Sequence, residues 1–237
     1  MRYPIILLDA DRTLFDFDKA EACALSETLA RCGVPEEAEA MARYREINHA
    51  YWARLERGEI EKNLMLVRRF EDFFGGYGLA PDCAAVNAEY LATLGTFAFL
   101  IPGALELCRN LHEKGHRLCI VTNGTAAANQ TRLRDSGLEP YFDGVFISEV
   151  VGAEKPSPRF FDAVFAALGH PAKDDCIIVG DSLMSDIRGG RQAGIATCWF
   201  NPEGKRPNED CDYVIGALGE LESIVGHGQG PPLRLSF

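Results

Sequence analysis

The sequence predicts an α/β fold: an open, doubly wound, mainly parallel sheet, interrupted after its first strand by an inserted block of helices. Three observations carry that expectation. Five short apolar runs, at residues 3–8, 117–121, 145–147, 176–179 and 196–200, show no regular polar alternation, and the first four contain Ile, Val or Leu. Strands covered by helices on both faces read this way. Amphipathic stretches lie between the runs, so strand and helix alternate with the right-handed crossovers of a parallel sheet. From 18 to 96 the rhythm breaks, and no strand-like run occurs.

The first run, "YPIILL", ends on two carboxylates, Asp9 and Asp11, with Arg12 between Asp11 and Thr13. The inserted block that follows reads as about four helices. They are separated by turn signals at "CGVPEE", "ERGEI", "GGYGLAPD" and "LGTF". The stretch 102–115 is punctuated as a helix, with Pro102 at its start, Leu105, Leu107, Cys108 and Leu111 as an apolar stripe, and Gly115 at its end. A second helix is expected over 157–169, "SPRFFDAVFAALG". The end, 227–237, is rich in Gly and Pro and reads as a loose tail.

Composition narrows the function. A chain of 237 residues supports one large domain, or a domain with a substantial insertion. Its net charge of −11 argues against nucleic acid or an anionic membrane as partner. It leaves room for a small phosphorylated metabolite held by a local cluster of cations. No run approaches the ~20 apolar residues of a membrane span, and no signal-peptide pattern opens the chain, which points to the cytoplasm. The eight cysteines are scattered, with no C-x-x-C pair, and read as buried thiols rather than zinc ligands or disulfides. The five histidines lack metal-ligand spacing.

In an open parallel sheet the ligand site lies at the carboxyl ends of the strands, where strand order reverses. The residues after each run are therefore the candidates. They are Asp9, Asp11 and Thr13 after the first, Thr122 and Asn123 after the second, Lys155 before Pro156 after the third, and Asp181 with Asp186 after the fourth. Acids, a hydroxyl and a lysine converge on one edge. Each short motif is common in isolation; the four in this order are not.

In that order they resemble the haloacid dehalogenase superfamily of aspartate-nucleophile phosphotransferases. The stretches "DADRTLFDFD", "NHAYWARLERGEI", "RRFEDF", "ISEVVGAEKP" and "TCWFN" further resemble its small pyrimidine 5′-nucleotidases. The resemblance implies a Rossmann-like catalytic core at 1–16 and 97–226, with an α-helical cap domain at 17–96. It implies Asp9 as nucleophile, forming an aspartyl-phosphate, and Asp11 as acid and then base. It implies Mg2+ on Asp9, Asp181 and the Asp11 carbonyl, with Lys155, the Thr122 hydroxyl and backbone N–H groups near Asp11 and Asn123 holding the phosphoryl group. Asp186 would orient a metal-bound water or Lys155, a salt bridge to Arg188 or Arg191 being the alternative. Thr13 is either a helper beside Asp9 or a turn residue.

The cap residues Phe17, Asn48, Trp52 and Arg69 are the candidates for gripping a flat pyrimidine base, with cap core as the alternative for the aromatic ones. Arg12 stands where the subgroup is typically acidic. The expected activity is hydrolysis of pyrimidine nucleoside monophosphates by a monomer or small homo-oligomer. A sugar-phosphate phosphatase or phosphomutase of the same superfamily is the alternative. A metal-free dehalogenase would lack Asp11, and a phosphonate hydrolase would need a cap lysine in an apolar pocket, which neither Lys19 nor Lys62 offers. A non-catalytic phosphate-binding regulator would not need the full set of Asp9, Asp11, Thr122, Lys155 and Asp181.

Overall fold

The apolar runs become a wholly parallel six-stranded sheet in the computed structural model, which describes residues 2–34, 38–206 and 210–226. The strands are β1 (Ile5–Leu8), β2 (Arg117–Thr122), β3 (Gly144–Ile147), β4 (Cys176–Gly180), β5 (Ala196–Phe200) and β6 (Tyr213–Ile215), in spatial order β3-β2-β1-β4-β5-β6. β1 starts at Ile5 rather than Tyr3, because Tyr3 has a left-handed φ of 54° and Pro4 has no N–H to give a ladder. β6 lies outside the expected runs. It has three residues at the sheet edge, and only Ile215 is fully buried, so it leaves no apolar signature. The tail expected over 227–237 lies outside the described residues.

The described residues form two compact units, one of 2–17, 98–126 and 133–226, the other of 18–97 with 127–132. The insertion is helical, as its sequence predicts: α1 (Phe17–Arg31), α2 (Ala38–Glu56), α3 (Lys62–Gly75) and α4 (Cys83–Gly95). α4 starts where Asp82 caps it, accepting the N–H groups of Ala84 and Ala85. The interior of the insertion includes the rings of Tyr44, Phe70, Phe73 and Tyr90, and a cluster of Tyr51, Leu55, Met65 and Leu66 against which Trp52 packs.

In the sheet unit, α5 (Ala104–Glu113), α7 (Ser148–Val151), α8 (Pro158–Ala167), α9 (Arg188–Ala193) and α10 (Leu221–Gly226) alternate with the strands, and α6 (Ala126–Asp135) follows β2 with its residues 127–132 counted in the other unit. Successive strand residues face opposite sides, as a period of two requires. Ile6, Leu8, Ile177 and Val179 pack with Leu107, Cys108 and Leu111 of α5 and with Leu221 and Val225 of α10. Ile5, Leu7, Cys176 and Ile178 pack with Phe160, Phe161, Val164 and Phe165 of α8. All eight cysteines are free thiols. Among the described residues no helix is long and apolar enough to cross a membrane.

Strand order reverses between β1 and β4, which pair side by side with Leu8 opposite Val179. That junction is the switch point at which an open sheet leaves a crevice. Asp9 and Asp181 are the residues that emerge there.

Candidate active site

Asp9 leaves β1 with its N–H still bonded to Val179 O at 2.9 Å, so the ladder itself fixes where its carboxylate begins. Asp181 follows Gly180, and its carbonyl accepts the indole N–H of Trp199 from β5 at 2.8 Å. A π-helical turn, Leu183–Ile187, then brings Asp186 back beneath the first two acids. Ser182 starts that turn, its side chain accepting the Ser185 N–H. Close approach requires Gly180: a Cβ there would stand 2.2 Å from Asp186 Oδ2.

Carboxylate oxygens of Asp9, Asp181 and Asp186 lie within 4.8 Å of one another. Lys155 answers part of that charge. Its Nζ donates to Asp9 Oδ1, Asp186 Oδ1 and the Val121 carbonyl, each at 2.6 Å, with the lysine 1 % exposed. An ammonium has three protons, and all three are engaged. Burial alone would lower the lysine's pKa, but the carboxylates of Asp186 and Asp9 override it and hold the pKa above the ordinary lysine value.

One cation does not balance three acids. Burial raises Asp9 well above the usual carboxylate range, against the pull of Lys155 and helped by Asp186 and Asp181. Asp181 is pushed up to about 7, by burial first and by Asp186 next, with Arg12 and Lys155 opposing. Two like charges ~4 Å apart repel by about 4 kcal/mol at an effective dielectric near 20. A buried, all-oxygen cluster with surplus negative charge suits a hard divalent cation such as magnesium.

The other expected residues surround this cluster. Thr13 is fully buried, with its hydroxyl a long 3.5 Å from Asp9 Oδ2. Asp11 opens the tight turn 11–15, bridged to Phe15, and its carboxylate lies outside the three-acid group. That turn is anchored on 99–101, through Asp16 N to Phe99 O and Ile101 N to Leu14 O, both 2.9 Å. Arg12 sits exposed at its tip with φ 59°, its guanidinium 4.9 Å from the centre of the Phe17 ring. Thr122 is buried at the end of β2, and its Oγ1 accepts the Gly124 N–H at 3.1 Å, which leaves the hydroxyl proton to donate. Asp186 pairs with Lys155, and its Oδ2 accepts the Ser182 N–H at 3.1 Å.

In the insertion, Asn48 and Arg69 meet each other in the interior. Arg69 donates to Asn48 Oδ1 and Asn87 Oδ1, each at 2.8 Å, and Asn48 donates to Glu21 Oε1 at 2.8 Å. The Arg69 guanidinium also lies 5.1 Å from the centre of the Phe70 ring and 5.2 Å from that of Tyr90. Their burial, at 5 % and 2 % exposure, makes them part of the insertion's polar core. Trp52 and Phe17 remain half-buried.

Two contributors carry no signal in the sequence, the Val121 carbonyl and the Trp199 indole, because each meets a residue distant along the chain.

The family model for haloacid dehalogenase-like hydrolases matches residues 3–194. The chain is 38 % identical over 226 residues to HAD-hydrolase YfnB of Bacillus subtilis, covering 94 % of this chain and 96 % of that protein. A magnesium-bound crystal structure of YfnB superposes with a TM-score of 0.90 at 37 % identity, covering 96 % of this chain and 100 % of the other. Pyrimidine 5′-nucleotidase PynA of Streptococcus pneumoniae is 37 % identical over 202 residues, 85 % of each chain. Pyrimidine 5′-nucleotidase YjjG of Escherichia coli is 32 % identical over 231 residues, 95 % of this chain and 99 % of the other.

Proposed function

The chain belongs to the haloacid dehalogenase-like hydrolases, and from that premise we propose that it is a magnesium-dependent phosphatase acting on pyrimidine nucleoside 5′-monophosphates. The observation that carries the chemistry is the buried ammonium of Lys155, at 2.6 Å from both Asp9 and Asp186 at the sheet's switch point. The pyrimidine preference rests on the two nucleotidases to which the chain is similar over most of its length.

Asp9 is the nucleophile. Its carboxylate oxygen forms a bond to phosphorus as the bond from phosphorus to the ester oxygen breaks, giving an aspartyl-phosphate and a free nucleoside. Asp11, two residues on and outside the three-acid group, donates its proton to the departing oxygen. It then takes a proton from the water that attacks phosphorus, releasing inorganic phosphate and restoring Asp9. Lys155 keeps the Asp9 carboxylate oriented, and the Thr122 hydroxyl donates to a phosphoryl oxygen. Asp9, Asp181 and the Asp11 carbonyl would hold magnesium, which when bound would supply positive charge for the phosphoryl oxygens. Asp186, its two oxygens engaged by Lys155 and Ser182, acts from behind these ligands. Eight free thiols suit a reducing compartment, the cytoplasm.

The test is phosphate release from dTMP, UMP, AMP, GMP and glucose 6-phosphate, with magnesium and with excess EDTA. The expected order puts dTMP and UMP first, with EDTA and Asp9→Asn each abolishing turnover. A preference for purines or sugar phosphates overturns the substrate assignment and leaves the phosphatase. Full turnover in EDTA, in protein shown to be metal-free, overturns the role of the metal.

A further inference from the structure

The side chain of Asn123 makes a closed pair of hydrogen bonds with the backbone of Lys155. Its Nδ2 donates to the Lys155 carbonyl and its Oδ1 accepts the Lys155 N–H, both at 2.8 Å. The amide thus pairs with both main-chain polar groups of one residue, as a residue of a neighbouring strand would. A second tie joins the same two segments: Glu149 Oε2 accepts the N–H of Ala126, the first residue of α6, at 2.6 Å.

We propose that the side chain of Asn123 is a positioning group, which sets the point on the backbone from which Lys155 enters the site, rather than a side-chain ligand of the phosphoryl group. Lysine's four-carbon stem is flexible, and nothing in its chemistry fixes where the ammonium goes. Here that ammonium meets three acceptors at 2.6 Å. A shift of the ammonium by about 1 Å would exceed normal hydrogen-bond distance to at least one of them, so the point from which the stem starts limits whether all three can be met. The two hydrogen bonds with the Asn123 side chain hold the Lys155 backbone beside the end of β2, whose own Val121 carbonyl is one of the three acceptors. Expected consequences for turnover rest on the phosphatase reading; the geometry does not.

The test uses the full chain with Asn123→Ala and Asn123→Asp. The aspartate keeps the acceptor for the Lys155 N–H but sets a carboxylate against the Lys155 carbonyl. For dTMP both variants should lose about 10²-fold in kcat, with KM and the inhibition constant of inorganic phosphate within about threefold of the parent. A change confined to stability, with kcat of the folded protein unaltered, overturns the proposal. So does a tenfold or greater weakening of phosphate inhibition at unchanged kcat, which would make Asn123 a phosphate ligand. A second readout is independent of activity. In 15N-lysine-labelled protein the Lys155 ammonium, identified by its loss in Lys155→Arg, should give a slowly exchanging signal that broadens or vanishes in Asn123→Ala. If the parent shows no phosphatase activity, the functional reading fails, and retention or loss of that signal still decides the anchor. A signal unchanged in Asn123→Ala overturns it.

Discussion

At the scale of single residues, the site is arranged around groups with no slack. Asp186 accepts from Lys155 on one oxygen and from the Ser182 N–H on the other, so it cannot yield without releasing both. Gly180 is required for that reason and not for its backbone freedom. A methyl at residue 180 would stand 2.2 Å from Asp186 Oδ2 and 2.3 Å from its Cγ, distances that real Cβ atoms do not tolerate. Gly180→Ala must therefore push Asp186 aside, and Lys155 loses one of its three acceptors. The expected result is a folded protein with kcat down by about 10²-fold, the cost of a misplacement near 1 Å in a positioned catalytic group. Steady-state kinetics alongside thermal unfolding checks this. Near-parental kcat in Gly180→Ala would mean that Asp186 can move without consequence, and that its bond to Lys155 does not orient the site.

At the scale of elements, continuous burial decided what could be read. β1, β2, β4 and β5 are buried along nearly their whole length, and their apolar runs announce them; β3, at the sheet edge with Val145 exposed, is still announced by its apolar sequence, whereas β6, three residues with one fully buried, is not. The acids, Thr122 and Lys155 were legible because each follows a strand in a fixed order. Asn123 was visible as a residue, but the use of its side chain was not. A bond between residues 123 and 155 leaves no local pattern, and the same holds for Trp199 with Asp181. The insertion shows the converse. Asn48 and Arg69 carry polar groups that suggest a ligand, and only the packing of α1, α2, α3 and α4 shows that Glu21, Asn48, Arg69 and Asn87 satisfy one another. Such a network is costly to break from one side, because the partners stay buried without it. Arg69→Met keeps much of the volume and removes the donors to Asn48, Asn87 and the Leu66 carbonyl. Urea unfolding of the full chain should show a loss of about 3–5 kcal/mol. Arg69→Lys should recover little, since an ammonium cannot present the same fork of donors. A loss below about 1 kcal/mol in Arg69→Met would show that the network relaxes around the gap.

For the whole molecule, the balance of charge makes stability depend on pH in a direction that can be worked out. Over pH 6–8 ordinary carboxylates are ionised and ordinary lysines protonated, so the change comes from histidines and from shifted groups. His116 is buried in the turn from α5 to β2, its Nδ1 at 3.0 Å from the Tyr3 carbonyl. Burial lowers its pKa below 6.5, partly offset by that hydrogen bond. Its contribution is therefore complete above pH 6.5 and is lost as pH falls below that value. Asp181 runs the other way. Its pKa rises from 3.8 to about 7, through burial and then Asp186. A raised carboxylate contributes stability that is fully present below 3.8 and is lost as pH climbs through about 7. Asp9 is shifted in the same sense. The metal-free chain should accordingly become less stable from pH 6.5 to 8, where His116 no longer contributes to the change. Magnesium binds the ionised carboxylates, so the stability it adds should be larger at pH 8 than at pH 6.5. Thermal unfolding in EDTA and in excess magnesium, at both pH values, measures each term. Asp181→Asn, which replaces the titrating carboxylate by an amide, should flatten the metal-free decline and reduce the gain from magnesium. A metal-free Tm that is level across this range, and equally level in Asp181→Asn, would mean that Asp181 is already ionised at pH 6.5 and that Lys155 balances the acids better than their burial implies.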